Sequence, residues 1–209
     1  QEQWLFWDGI RWKPDPTGLH VMGKAKKLIE QLYDEAQELD NQDKAKEKQK
    51  HMRRSANEAR LKAMMNLSTT FTDIKITKDK LDQRPMLVTF DNLTVDLLNG
   101  KLLKANPNHL ITKKLPYSFD SNAECPLWED FIDQIMDGDQ DMINFLQQAI
   151  GYSLTGKTTE QCLFFLYGNG RNGKSTFVEI LMQLLGEYAI KAESDMIMDR
   201  AYGSGVPND

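Results

Sequence analysis

One stretch of the chain has residue types and spacing that fit a single piece of chemistry. Gly168-Asn169-Gly170-Arg171-Asn172-Gly173-Lys174-Ser175-Thr176 satisfies the pattern G-x-x-x-x-G-K-[ST]. A triphosphate is a dense anion, and a loop that wraps it must present backbone N–H groups with no side chain in the way. Glycine therefore suits positions 168, 170 and 173. The N-terminus of a following helix adds unpaired donors and a positive dipole end. Lys174 would reach the β- and γ-phosphates as a point charge. Ser175 would place its hydroxyl on Mg²⁺, which prefers oxygen ligands and phosphate partners. Residues 168–176, with Asn169, Arg171, Asn172 and Thr176 completing the loop, form the candidate site for ATP and Mg²⁺. Lys174 is its catalytic residue and Ser175 its metal ligand.

Such a loop must be held between a strand and a helix. Leu163-Phe164-Phe165-Leu166-Tyr167 is a short continuous apolar run, as a buried parallel strand would show. After the loop, Phe177, Ile180, Leu181, Leu184 and Leu185 share one helical face, and Gly186 suits the helix end. A rival pattern overlaps the same residues. Gly168, Gly170 and Gly173 also satisfy G-x-G-x-x-G, and Glu193 falls about 20 residues on, where a dinucleotide site places a ribose-binding acid. Lys174-Ser175 directly after the third glycine suits triphosphate and Mg²⁺ and has no use in a dinucleotide site.

Composition narrows the remaining choices. The 209 residues are 40% hydrophobic and 27% charged. That excludes collagen-like, low-complexity and membrane classes. The net charge of -5 is unlike that of a dedicated nucleic-acid-binding domain. Charge is nevertheless uneven. Lys44, Lys46, Lys48, Lys50, Arg53, Arg54, Arg60 and Lys62 lie close together, offset only by Asp43, Glu47 and Glu58. Lys44, Lys46, Lys48, Lys50, Arg53 and Arg54 are candidate DNA-phosphate contacts, because backbone affinity is largely charge neutralisation. The alternative is a solvated helix face or a flexible helix–helix connection. Two cysteines and the scattered His20, His51 and His109 give neither a disulfide framework nor a zinc site. These features suit a soluble protein of a reducing compartment. The chain starts without Met and stops at Asp209, as expected of a piece of something longer.

The rest of the chain suggests mixed structure. Asp8-Gly9 between aromatic runs predicts a hairpin, ended by Pro14 and Pro16. Its tryptophans suit hairpin packing better than base stacking. Val21, Ala25, Leu28, Ile29, Leu32, Ala36 and Leu39 predict one helix. Met52, Ala56, Ala59, Ala63 and Leu67 predict a second. Residues 71–120 look β-rich, with strands at 86–90 and 111–112 and a hairpin at Asn99-Gly100. Two further helices follow, one opening at Pro126 and one near Asp139 and Asp141, the latter stopping at Gly151.

In these stretches the sequence resembles the phage- and plasmid-type primase–helicases, whose motor belongs to helicase superfamily 3. Trp7-Asp8-Gly9 with Arg11-Trp12 is similar to that family's opening hairpin. Pro126-Leu127-Trp128 through Phe131 is similar to its pre-motor helices. Gln147 and Gly151-Tyr152 with Leu154-Thr155-Gly156 resemble the segment before the motor, and residues 168–177 resemble its Walker A loop. The resemblance implies an ATP-driven helicase with an AAA+-like core, usually a homo-hexamer moving on single-stranded DNA in the cytoplasm of a bacterial host. Relatives often carry a primase domain ahead of this region. The implied architecture is an α+β accessory domain over 1–157, followed by the truncated start of an α/β P-loop domain over 158–209. The family's Walker B acids, polar sensor and arginine finger find no counterpart. Asp199 after Met196-Ile197-Met198 follows too short a run to be such an acid. Two other functions stay open: an accessory DNA-binding or oligomerisation module, and a P-loop ATPase of another kind, such as a kinase or packaging motor.

Overall fold

A computed structural model describes residues 3–192. The chain divides into two compact units, Gln1–Lys113 and Lys114–Asp209. The first is mixed α+β with small antiparallel sheets, and the described part of the second is helical. The boundary expected between 157 and 158 falls inside the second unit.

The first unit opens with the predicted hairpin, β1 (Trp4–Trp7) against β2 (Trp12–Asp15). Its turn is wider than a two-residue one. Trp7 pairs with Trp12, and the Asp8 carboxylate accepts the N–H groups of Ile10 and Arg11, each at 2.9 Å. Pro14 does not end the strand but lies within it, opposite Leu5. A two-stranded sheet has only edges, where a missing N–H is tolerated. The rings of Trp7 and Trp12 lie 5.8 Å apart, and the Trp12 indole N–H donates to the Pro107 carbonyl at 2.9 Å. Buried Asp15 accepts the Val21 N–H at 3.0 Å and so anchors the start of α1 (Leu19–Gln37).

The predicted second helix is two. α2 (Gln42–Ser55) begins at the Asn41 cap, and α3 (Glu58–Ser68) begins at the Asn57 cap. The expected stripe crosses the break. Ala56, Ala59 and Ala63 are exposed, as is Leu67, while Leu61 fills the core at 1% exposure. Local capping outcompetes helix continuity here, because the Asn57 side chain accepts the Ala59 N–H at 2.9 Å. α1 packs on both neighbours, with Ala25, Ile29 and Leu61 at the centre and Met22, Met52 and Met64 around them. The basic block thus lies within and after a formed helix rather than in a connection.

The β-rich region forms a three-stranded meander, β3 (Leu87–Thr89), β4 (Thr94–Asp96) and β5 (Lys101–Leu103). Ile111-Thr112 is no strand. It is held by other means: the Ile111 carbonyl accepts the Trp12 N–H at 2.9 Å, and Asp82 binds the Thr112 N–H and hydroxyl at 2.7 and 2.6 Å.

The second unit contains α4 (Pro126–Ile135), α5 (Gln140–Ser153) and α6 (Lys174–Leu185). Asp139 caps α5 as predicted, but α5 runs through Gly151 to Ser153. Ile132, Leu146 and Phe177 join the three helices in one core. The run 163–167, expected as a buried strand, is neither. No strand forms among the described residues of this unit, and Phe165 and Tyr167 are 74% and 92% exposed. A strand needs a neighbour to take its backbone hydrogen bonds, and none is present among those residues. The expected parallel sheet is therefore absent from the described residues. So are Glu193 and Asp199, which lie outside them.

Candidate functional site

The glycine loop ends where α6 begins. Gly173 occupies the helix cap with φ +80°, and no side chain caps the first turn. The first N–H groups of a helix have no partner inside it, so an uncapped start presents donors to an incoming anion. Lys174 is the first helical residue, with Ser175 and Thr176 exposed beside it. The Lys174 ammonium folds back over the loop. It donates to the carbonyls of Gly168 at 3.0 Å and Asn169 at 3.2 Å, and to the Asn172 side-chain oxygen at 2.6 Å. This brings Gly168, Asn169, Asn172 and Lys174 together around one cation. Arg171 and Gly170 stand on the exposed outer part of the loop.

Two glycines of the pattern have structural reasons. A Cβ at Gly168 would collide with the Asn172 side chain, and its φ of +142° favours glycine. A Cβ at Gly173 would lie 2.7 Å from Ile135 Cγ2 and 3.3 Å from the Phe131 ring. The loop therefore rests directly on α4. Trp128 of the same helix stacks on Phe177 of α6, with ring centroids 5.8 Å apart. Phe131 and Ile135 are supports that motif reading missed. The only signal for them in the sequence is the apolar face of α4.

The residues of the basic block, 44–62, all belong to the first unit, and they do not form one cluster. Lys46, Gln49, Lys50, Arg53 and Arg54 line an open cleft of about 480 Å³. A second cleft, lined by Arg53, Arg54, Ala56, Asn57 and Arg60, continues from it. Lys44 and Lys48 line neither. Lys62 is taken by Glu58 at 2.6 Å, and that contact lowers the Glu58 pKa. Sequence reasoning omitted Gln49 and Arg60 from the site, and also Tyr33, whose hydroxyl accepts from Arg53 at 2.8 Å. Elsewhere in this unit His109 is held below its usual pKa by burial and by the Arg84 guanidinium. Among the described residues, no group of three or more His, Cys, Asp or Glu residues could hold a metal ion, and no helix is long and apolar enough to cross a membrane.

Comparison with known proteins places the fold's first part. Residues 1–137 match the family model "D5 N terminal like", a domain found at the N-terminus of phage and plasmid primase–helicase proteins. The matched stretch covers the first unit and α4, and it ends before the glycine loop. The chain is also similar to "Uncharacterized mitochondrial protein ymf21" of Marchantia polymorpha. The two are 23% identical over 125 residues, covering 54% of this chain and 68% of the relative. With a family model that spans the hairpin, the three helices, the meander and α4, the chain belongs to the D5 N terminal like family.

Proposed function

We propose that the chain serves an ATP-driven DNA helicase of the primase–helicase type and that residues 168–176 bind its ATP. One observation carries the nucleotide reading. Lys174 is gathered by three loop oxygens at the start of an uncapped helix, which is where an arriving phosphate would exchange with them. The family match supports the helicase context independently, because it stops short of the loop.

In this reading the exposed backbone N–H groups of the loop and of the first turn of α6 cradle the phosphates. Lys174 leaves its carbonyl partners and spreads its charge over the β- and γ-oxygens. The residues also fit a magnesium ion brought in with the nucleotide. The exposed Ser175 hydroxyl is the protein oxygen that would hold it, and the metal would neutralise phosphate charge. Asn172 orients Lys174 before binding. The glycine loop and α6 open an α/β P-loop domain. The whole assembly works as a ring of six subunits on single-stranded DNA.

Titration with a fluorescent ATP analogue and Mg²⁺ tests the site. Lys174→Ala should abolish binding, and Ser175→Ala should weaken it mainly when Mg²⁺ is present. Unchanged affinity in Lys174→Ala would refute the assignment. Competition by NAD rather than ATP would favour the dinucleotide pattern instead. DNA-stimulated ATP hydrolysis separates a helicase from a small-molecule kinase.

A further inference from the structure

We infer that the face of α2 and α3 carrying Lys46, Lys50, Arg53, Arg54 and Arg60 binds the phosphodiester backbone of a nucleic-acid strand without reading its sequence. This site stands on the first unit alone and is independent of the nucleotide reading of the second.

The placement of the charges is the first reason. Lys46, Lys50 and Arg54 recur at four-residue spacing, and Arg53 lies beside them, so all four share one side of α2. At about 1.5 Å rise per residue the stripe is roughly 12 Å long, about the span of two to three consecutive phosphates of one strand. Arg60 extends it across the break at Ala56 and Asn57, and the two clefts share Arg53 and Arg54. The uncommitted state of these charges is the second reason. Among the described residues no carboxylate pairs with any of the five, although Asp43 and Glu47 are on the same helix. Like charges at such spacing destabilise a helix. Arg53 and Arg54 are compensated by the negative end of α2, but Lys46 and Lys50 sit at mid-helix, where the dipole offers nothing.

Arg53 supplies the third reason, because it is held in place. Its guanidinium lies 5.4 Å from the Tyr33 ring centroid and donates one N–H to the Tyr33 hydroxyl. A guanidinium has five N–H groups in a rigid fork, so four remain for phosphate oxygens. An amphipathic membrane-surface helix would instead show large apolar residues opposite its cations. The packed side of α2 offers only Ala45 and Met52.

The test compares two substitutions of equal charge in the full chain. Lys46→Gln/Lys50→Gln removes two charges from the cleft. Lys44→Gln/Lys48→Gln removes two from the opposite side of the same helix. A labelled oligothymidylate is titrated by fluorescence anisotropy across a salt series, with helicity checked by circular dichroism. The cleft pair should weaken binding several-fold and flatten the slope of log affinity against log salt by about 1.4, at roughly 0.7 per phosphate contact. The opposite pair should leave the slope unchanged. Tyr33→Phe should weaken binding with no change of slope, because it removes positioning and no charge. Equal losses from both pairs, or no oligonucleotide binding at all, would overturn the inference. So would binding to phosphatidylserine vesicles in place of the oligonucleotide. ATP-analogue affinity measured on the same variants should stay at the wild-type level, which separates failure here from failure of the nucleotide site.

Discussion

Substituting Gly173 tests whether α4 supports the glycine loop. Gly173→Ala adds one methyl, and two costs follow from the geometry. A φ of +80° disfavours any L side chain by about 1–2 kcal/mol. The new Cβ would also stand 2.7 Å from Ile135 Cγ2 and 3.3 Å from the Phe131 ring, well inside the usual carbon–carbon separation. Overpacking of this kind costs about 1–3 kcal/mol. The sum is about 2–5 kcal/mol against the second unit. Ile135→Ala removes the closest obstacle and leaves φ untouched. In the double variant the overpacking part, about 1–3 kcal/mol, should be recovered while the backbone part persists. Hydrogen exchange of peptides from α4 and α6, followed against urea, reads this locally. A double-mutant cycle then gives the coupling. Additivity within about 0.5 kcal/mol would refute the claim that Ile135 confines the loop.

Three further variants probe the units separately. His109 is held below its ordinary pKa of 6.5 by burial and by Arg84, so the unfolded chain takes up a proton first as pH falls. The first unit should be fully stabilised above about pH 6.5 and lose stability below it, until folded His109 also protonates. His109→Gln should remove that loss, as checked by urea midpoints of first-unit peptides on either side of pH 6.5. In the second unit, Asp139 accepts the N–H groups of Asp141 and Met142, each at 3.1 Å. Asp139→Ala should cost about 1 kcal/mol and accelerate exchange at the start of α5, whereas Asp139→Asn should retain most of the protection.

Sequence determined what depends on neighbours along the chain. The Asp8-Gly9 and Asn99-Gly100 hairpins, the Asp139 cap and the Gly186 helix end are set within a few residues, by turn chemistry and by donors that need acceptors. Periodicity was less decisive where two local signals competed. The alanine stripe from Ala56 to Ala63 argued for one helix, but the Asn57 cap split it, and Leu61 rather than the stripe entered the core. Pro14 argued for a strand end, yet a two-stranded sheet has room for it.

Tertiary structure decided which residues meet. That Phe131 and Ile135 lie under Gly173 follows from how α4 packs on α6, and no spacing in the sequence encodes it. The basic block is a run in the sequence. Only the folded helices divide it into a cleft-facing set joined by Arg60 and Tyr33, a pair outside the clefts in Lys44 and Lys48, and a lysine spent on Glu58. The apolar run 163–167 marks the limit of local reading. Its composition favours a strand, but a strand exists only when another chain segment accepts its hydrogen bonds, and that is a property of the tertiary fold.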